Sequence, residues 1–179
     1  MTPRHFELLE EARRLLPDFK AELSGDVIIM QASPSTIHQR NLLLVRRQFD
    51  AHSSDWLPSE NTDLVSPAVE KVRNPDLTYL PDEVMTSPKG GVSADLALIA
   101  VEIVSPSNPD NDWHGKVRDY PLMGIPLYLI VDPSQKTVTL FSEPEDGRYR
   151  LREDADFGQS IHVPAPFSFT LDTSALLPY

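Results

Sequence analysis

The sequence contains no cysteine, which excludes disulfide bonds and zinc sites held by thiolates. Long apolar runs are also missing, and none approaches the ~20 residues that a membrane-spanning helix needs. The N-terminus lacks the apolar region of a signal peptide. From these absences we expect a cytoplasmic protein that does not insert into membranes.

Positive charge is scarce as well. Sixteen lysines and arginines face 27 aspartates and glutamates, which gives a formal net charge of -11. Because non-specific binding to nucleic acid is driven by neutralisation of phosphates, this balance counts against a general nucleic-acid-binding protein. It leaves room for a local basic face, or for an acidic nuclease that uses a metal ion.

Proline, in contrast, is abundant, with 17 among 179 residues, against a usual share of ~5%. This abundance predicts many short elements with stiff connections. The length and the hydrophobic fraction of 40% predict one mixed α/β domain over residues 1–179. Within it we expect an N-terminal helix over 3–16 and a core over about 19–172.

Apolar patterning predicts further elements along the chain. They are a hairpin over 19–31, a helix over about 33–52, weak strands at 64–65 and 69–72, a strand at 75–80, a loop over 81–93, a hairpin over 136–153, short strands at 161–163 and 167–169, and a terminal helix over 172–177.

Residues 96–133 form the centre of the pattern. An apolar run over 96–101 predicts a buried strand, and a polar, proline-containing loop follows it. Next come a helix that carries Lys116 and a second apolar strand over 127–131. Strand, loop, helix and strand in this order are typical of a βαβ crossover.

The chain has no glycine-rich phosphate loop, no paired-histidine helix motif and no Gly-x-Ser-x-Gly elbow. Isolated acids on strands remain. Glu102 falls inside an apolar run, so it needs a cation, a metal, a hydrogen-bond donor or a position facing a cleft. Asp76 follows a proline, where an aspartate also commonly serves as a turn or cap residue. Two such acids on adjacent strands would bind a hard cation such as Mg²⁺, and a nearby Lys116 would orient water or stabilise developing charge.

Two further side chains have two interpretations each. Glu22, near the start of the first hairpin, is either a surface charge or an acid that points into a site. His38, in the first turn of the helix over 33–52, is either a solvated or core-edge histidine or part of a site.

An ordered set of residues runs through these elements. It comprises Glu22, Gly25, Pro34, Ser35, His38, Pro75, Asp76, the segment 102–107, Asp112, Lys116, Tyr120, the segment 124–126, Tyr128 and the segment 131–133. Together these residues resemble the bacterial "putative restriction endonuclease" family, often labelled Uma-two. The resemblance covers about residues 19–172.

The resemblance implies a restriction-endonuclease-like fold of the PD-(D/E)XK type, with a mixed central sheet, flanking helices and a divalent-metal site. Asp76 and Glu102 would be the metal-binding acids, and the Ile103 carbonyl would be a third ligand. The cation would be Mg²⁺ or Mn²⁺.

The sequence departs from the family pattern at one position. The usual motif lysine would sit two residues after Glu102, where this chain has Val104. The resemblance implies that Lys116 substitutes for it by reaching back into the site. Glu22 and His38 would complete the pocket, as an auxiliary acid and a phosphate or water contact.

Three interpretations of function stay open. The first is a metal-dependent nuclease that hydrolyses phosphodiester bonds, with DNA as the expected substrate. The second is a non-catalytic module that binds nucleic acid or protein, which the net acidity and Val104 favour. In the third, Asp76 and Glu102 are structural acids paired with Arg73 or Lys116.

A homodimer is also expected, because nucleases that act on duplex DNA are often two-fold symmetric. Apolar strands late in the chain would supply the interface through Phe141, Phe167 and Phe169. Packing of the same phenylalanines in the core explains them equally well.

Overall fold

The computed structural model describes residues 3–31, 34–53, 55–86 and 91–179. The α-helices found there are α1 (Pro3–Leu15), α2 (Thr36–Asp50) and α3 (Val117–Leu122). Helix α2 starts after Ser35, whose hydroxyl accepts a hydrogen bond from the His38 amide at 3.2 Å and caps the helix. None of the described helices is long and apolar enough to cross a membrane.

The strands form three sheets. In chain order they are β1 (Lys20–Ser24), β2 (Val27–Gln31), β3 (Trp56–Ser59), β4 (Leu64–Ser66), β5 (Lys71–Arg73), β6 (Leu77–Pro81), β7 (Val92–Ser93), β8 (Ile99–Ile103), β9 (Leu127–Asp132), β10 (Thr137–Glu145), β11 (Arg148–Asp156), β12 (Ser160–Val163) and β13 (Phe169–Asp172). A six-stranded sheet has the order β11-β10-β9-β8-β6-β3, and a five-stranded sheet has the order β2-β1-β5-β4-β7. Strands β12 and β13 pair with each other.

The predicted βαβ crossover is present. Strands β8 and β9 are parallel, and the chain between them contains a π-helical segment, Asn111–Lys116, that leads directly into α3. Strand β8 begins at Ile99 rather than at residue 96, because Ala94–Leu96 form a 3₁₀ turn. The side chain of Leu96 is exposed, so the apolar run is not buried throughout.

The two predicted hairpins form with tight turns. Gly25 has φ +62° in the two-residue turn between β1 and β2, a backbone conformation that glycine adopts without steric cost. A two-residue turn, Asp146 and Gly147, joins β10 to β11, and both residues have positive φ. The turn is therefore shorter than the predicted one over 143–147.

Other predictions need correction. Strand β3 was not expected; it contains Pro58, which an edge strand tolerates because one side of its backbone has no partner strand. The predicted helix over 172–177 does not form, because the Asn41 side chain of α2 binds both the amide and the carbonyl of Leu177. In the predicted loop over 81–93, Asp82–Thr86 form a 3₁₀ turn and Val92–Ser93 form β7, while residues 87–90 lie outside the described residues.

The core lies on both faces of the six-stranded sheet. Successive side chains of a strand point to opposite faces. Accordingly, Ile99, Val101 and Ile103 join an apolar cluster with α2, whereas Ala100 and Val104 join a second cluster with α3. Strand β8 is therefore buried on both faces, as its sequence predicts.

The late phenylalanines belong to this core. Phe141, Phe167 and Phe169 are buried, and the last two pack edge-on against Phe49 of α2 with ring centroids 4.9 and 5.0 Å away. The prediction that they form a dimer interface is therefore wrong, and the alternative of core packing is confirmed.

We expect Phe49→Ala to lower the free energy of unfolding by about 3–5 kcal/mol, because the substitution leaves a cavity among three aromatic rings. Leu43→Ala, on the same helix but half-exposed, should change it by only about 0.5 kcal/mol. Urea denaturation measures both values. Equal losses in the two variants would contradict the packing described here.

Candidate active site

The sheet brings Asp76 and Glu102 together. Strands β6 and β8 are antiparallel with Leu77 opposite Val101, so one residue further Asp76 lies opposite Glu102. Both acids line a cleft of about 800 Å³. Further wall residues are Lys20, His38, Asn74, Ile103 and Asp112.

Asp76 is held by partners on both carboxylate oxygens. Its Oδ2 accepts a hydrogen bond from the Ile103 amide at 2.9 Å and lies 3.0 Å from Nε2 of His38. Its Oδ1 lies 3.2 Å from Nζ of Lys20. Burial opposes ionisation, but the charge of Lys20 and the hydrogen bond from His38 hold the pKa of Asp76 well below its usual value.

The positive charge near Glu102 does not offset the cost of burying its carboxylate. Its Oε1 accepts a hydrogen bond from the Tyr120 hydroxyl at 2.6 Å and lies 2.9 Å from Nζ of Lys116. Burial raises the pKa of Glu102 to about 8, against the charge of Lys116, and the negative charge of Asp76 adds to the rise. Glu102 therefore gains from any further cation near it.

Glu22 is a buried acid rather than a surface charge. Its carboxylate accepts hydrogen bonds from Arg73 at 3.1 Å, from the Asn74 amide at 3.0 Å and from the Asn111 side chain at 3.2 Å. Burial would raise its pKa, but the charges of Lys116, Lys20 and Arg73 hold the pKa of Glu22 at about 2. It lies behind the cleft and is not part of its wall.

Lys116 is the countercharge shared by three carboxylates. Its Nζ lies 2.9 Å from Glu102, 2.9 Å from Asp112 and 3.5 Å from Glu22. The side chain is 0% exposed and is not part of the cleft wall. Burial would lower its pKa, but Asp112, Glu102 and Glu22 raise the pKa of Lys116 well above its usual value. Lys116 is therefore a buried countercharge, as expected of a lysine that reaches back towards Glu102.

Val104, at the position where the family pattern has lysine, is 1% exposed and belongs to the apolar cluster that includes Tyr120. Lys116 reaches Glu102 from the other end of the crossover instead. The structure thus brings the predicted site residues into one network of two bonded groups, around Asp76 and around Lys116, which the pairing of β6 with β8 places side by side. These residues are Glu22, His38, Asp76, Glu102, Ile103 and Lys116.

Sequence reasoning missed one cation of this network, Lys20. It expected Arg73 beside Asp76 or Glu102, whereas Arg73 pairs with other acids. The expected contact of Lys116 with Glu102 is present. Lys20 contacts Asp76, and the available signal was its position two residues before Glu22, which puts both side chains on one face of β1. Arg73, which is fully buried, contacts Glu22 and Asp119. Lysine and arginine are usually exposed, so their residue type alone did not indicate that Lys20 and Arg73 contact buried acids.

Asn111 and Gly115 complete the part of the network behind the cleft. The Asn111 carbonyl oxygen accepts from Arg73 at 3.0 Å, while its amide group donates to Glu22. A Cβ atom on Gly115 would come within 3.1 Å of the Asn111 Oδ1 and 3.4 Å of the Arg73 guanidinium. The close approach of these side chains thus favours glycine at this position.

The donor chemistry fits a hard divalent cation. Four acids are buried here: Glu22, Glu102 and Asp112 contact Lys116, and Asp76 contacts Lys20. Oε2 of Glu102 accepts no hydrogen bond from any described residue. No three Asp, Glu or His side chains among the described residues are already arranged as metal ligands. Since both oxygens of Asp76 have partners, a cation in the cleft would compete with at least one of these contacts.

A family model described as "Uma2: Putative restriction endonuclease" matches residues 6–174. The chain belongs to this family. No curated protein matches the chain.

The fold is similar to that of a crystal structure described as a putative nuclease belonging to DUF820 from Anabaena variabilis ATCC 29413. The TM-score is 0.68 at 15% sequence identity, and the match covers 87% of this chain and 88% of that one. At this identity the likeness shows the fold alone. The predicted fold class, a mixed sheet flanked by helices of the restriction-endonuclease type, is confirmed.

We expect the contribution of Glu102 to stability to fall as the pH rises from about 4.5 to about 8 in metal-free buffer. In this window the folded protein keeps the Glu102 proton that the unfolded chain has lost, so rising pH favours unfolding. Denaturation of wild type and Glu102→Gln at pH 5 and pH 8 measures the effect. The difference in unfolding free energy, wild type minus variant, should fall by at least about 1 kcal/mol. A free-energy difference that does not change with pH would contradict the raised pKa of Glu102. Glu153→Gln, at an exposed site, is the control.

Lys116→Met should lower the free energy of unfolding by about 3–5 kcal/mol at neutral pH, because it leaves the buried acids Glu22, Glu102 and Asp112 without their shared cation. Lys136→Met, which removes an exposed ammonium, should have an effect of about 0.5 kcal/mol or less. Chemical denaturation tests both. A Lys116→Met variant as stable as the control would show that Lys116 is not the countercharge.

Proposed function

We propose that the protein is a divalent-metal-dependent nuclease that hydrolyses phosphodiester bonds in nucleic acid, with DNA as the expected substrate. The observation that carries the proposal is the placement of Asp76 beside Glu102 at the cleft, with Glu102 lacking full countercharge. Membership of the restriction endonuclease family and the fold of its structural neighbour support it.

Asp76 and Glu102, with the Ile103 carbonyl, would hold Mg²⁺ or Mn²⁺. When bound, such a cation polarises a phosphoryl oxygen and stabilises the charge that develops during hydrolysis. Tyr120 and Lys116 hold Glu102 in one orientation through its Oε1. Their contacts leave the carboxylate pre-positioned, which is what a metal ligand requires.

His38 and Glu22 would act at different depths. His38 lines the cleft and contacts Asp76 through Nε2, so it can orient this carboxylate. Since Nδ1 is buried, a phosphate or water in the cleft would meet Nε2 only after that contact opens. Glu22 lies behind the wall, where it fixes Arg73 and Lys116. We therefore assign Glu22 a supporting role rather than contact with substrate.

A second candidate function is a non-catalytic module that binds nucleic acid or protein. The partners of Asp76 favour it, because both oxygens of this acid are already engaged. A module of this kind would bind its partner without metal-dependent cleavage.

We expect Mn²⁺- or Mg²⁺-dependent cleavage of at least one substrate in a panel of linear DNA, supercoiled DNA, single strands and RNA. Asp76→Asn and Glu102→Gln should each reduce the cleavage rate by at least about 100-fold, because each removes a metal-binding charge. Calorimetric titration with Mn²⁺ should show weakened metal binding in the same variants.

The matched controls are Asp146→Asn, in an exposed turn, and Glu153→Gln, on an exposed strand position. Both should cleave at the wild-type rate. Full activity in Asp76→Asn and Glu102→Gln would defeat the assignment of the site. A wild-type protein that binds Mn²⁺ weakly or not at all, and cleaves nothing in the panel, would favour the non-catalytic module.

We also propose that the protein acts as a homodimer, since a two-fold symmetric enzyme matches the symmetry of duplex DNA. Light scattering on the purified protein measures the mass directly. A monomer at all concentrations, with or without duplex DNA, would remove this part of the proposal.

A further inference from the structure

The cleft acids are contacted by two lysines in different surroundings. Lys116 is fully enclosed by three carboxylates and absent from the cleft wall. Lys20 is part of the wall, its side chain is 18% exposed, and Asp76, at 3.2 Å, is the carboxylate that it contacts among the described residues. Lys20 is therefore the lysine that a molecule in the cleft can meet.

Lys20 lies on one particular oxygen of Asp76. The Ile103 amide and His38 Nε2 both lie on Oδ2, whereas Lys20 is the contact of Oδ1 among the described residues. An ammonium group and a divalent cation on the same oxygen repel each other in a partly buried site. Lys20 therefore competes with a cation for Asp76 Oδ1.

The side chain of Lys20 has few polar contacts among the described residues. Lys20 is the first residue of β1, where its backbone pairs with Gln31, and only the ammonium group ties the side chain to Asp76. Its four-carbon stem allows the ammonium to turn towards the open cleft, which Lys116 cannot do without leaving three buried carboxylates unpaired. A displaced ammonium in the cleft is a ready contact for phosphate.

We propose that Lys20 occupies the metal position on Asp76 when no metal is bound, and that on metal binding it moves to contact the phosphate of the substrate. This inference rests on the proposed function. Lys20 thereby couples the two ligands: it weakens metal binding in the absence of substrate and strengthens nucleic-acid binding in the presence of metal.

The test uses Lys20→Met, which keeps the stem and removes the charge, beside Lys20→Arg, which keeps the charge, and the exposed control Lys136→Met. Calorimetric titration with Ca²⁺ and with Mn²⁺, without nucleic acid, should show metal binding tightened by about fivefold or more in Lys20→Met. Lys136→Met should match wild type. Lys20→Arg should lie closer to wild type than Lys20→Met does.

The second measurement is fluorescence anisotropy of a labelled DNA oligonucleotide in Ca²⁺, which follows binding separately from cleavage. Lys20→Met should bind the oligonucleotide about fivefold more weakly than wild type, with the slope of log affinity against log salt reduced by about one, as expected for the loss of one phosphate contact. Replacing a lysine with only a structural role would not tighten metal binding and weaken DNA binding at the same time.

The outcomes separate this inference from the proposed function. Metal binding that is unchanged or weakened in Lys20→Met, while wild type binds Mn²⁺ and cleaves, would overturn the role of Lys20 alone. Absence of metal binding in wild type and in Lys20→Met would overturn both. A thermal melt shows whether Lys20→Met is folded; if it is not, the same comparison is made with Lys20→Gln.

Discussion

The structure depends on one buried ammonium group. Lys116 carries the only charge that lies within contact distance of Glu22, Glu102 and Asp112 together among the described residues. Removing three carboxylates from water is costly unless each has a partner, and one lysine cannot fully compensate three. The burial of Glu102 is the part that stays uncompensated, and its pKa is raised to about 8.

This imbalance sets the cleft apart from the salt bridges in the interior. Arg73 and Asp119 illustrate the second case: both are buried, they are hydrogen-bonded directly, and Asp119 has its pKa lowered despite burial because Arg73 lies beside it. At the cleft, in contrast, Glu102 shares Lys116 with two other acids. The protein maintains an acid short of positive charge beside open volume, an arrangement that costs stability and that binding of a cation would relieve.

Much of the fold and part of the site could be predicted from the sequence. The βαβ unit follows from two apolar runs with a polar loop and a helix between them, and Glu102 stands out because a charge inside such a run needs a partner. The neighbouring sequence does not identify Asp76 as a site residue, and only the resemblance of the chain to the family does. Its position opposite Glu102 is a property of strand pairing.

The rest could not be predicted because it depends on contacts distant in sequence. Lys20 and Arg73 look like ordinary strand charges until the fold brings acids to them. The predicted terminal helix fails for a similar reason, since Asn41, far away in the chain, takes the backbone groups of Leu177 that a helix would use. Local propensity is a weak guide wherever a distant side chain competes for the backbone.

The wide sequence spacing of the network also has a consequence for how the chain folds. Lys20 and Asp76 are 56 residues apart, Glu22 and Asn111 are 89 apart, and Ser24 and Asp119 are 95 apart. Contacts between distant residues form late, because closing long loops costs entropy before any contact repays it. Glu102 and Asp112 share a cation with Glu22 only when β1 lies against the crossover, so the burial of these acids is coupled to long-range docking rather than to local structure.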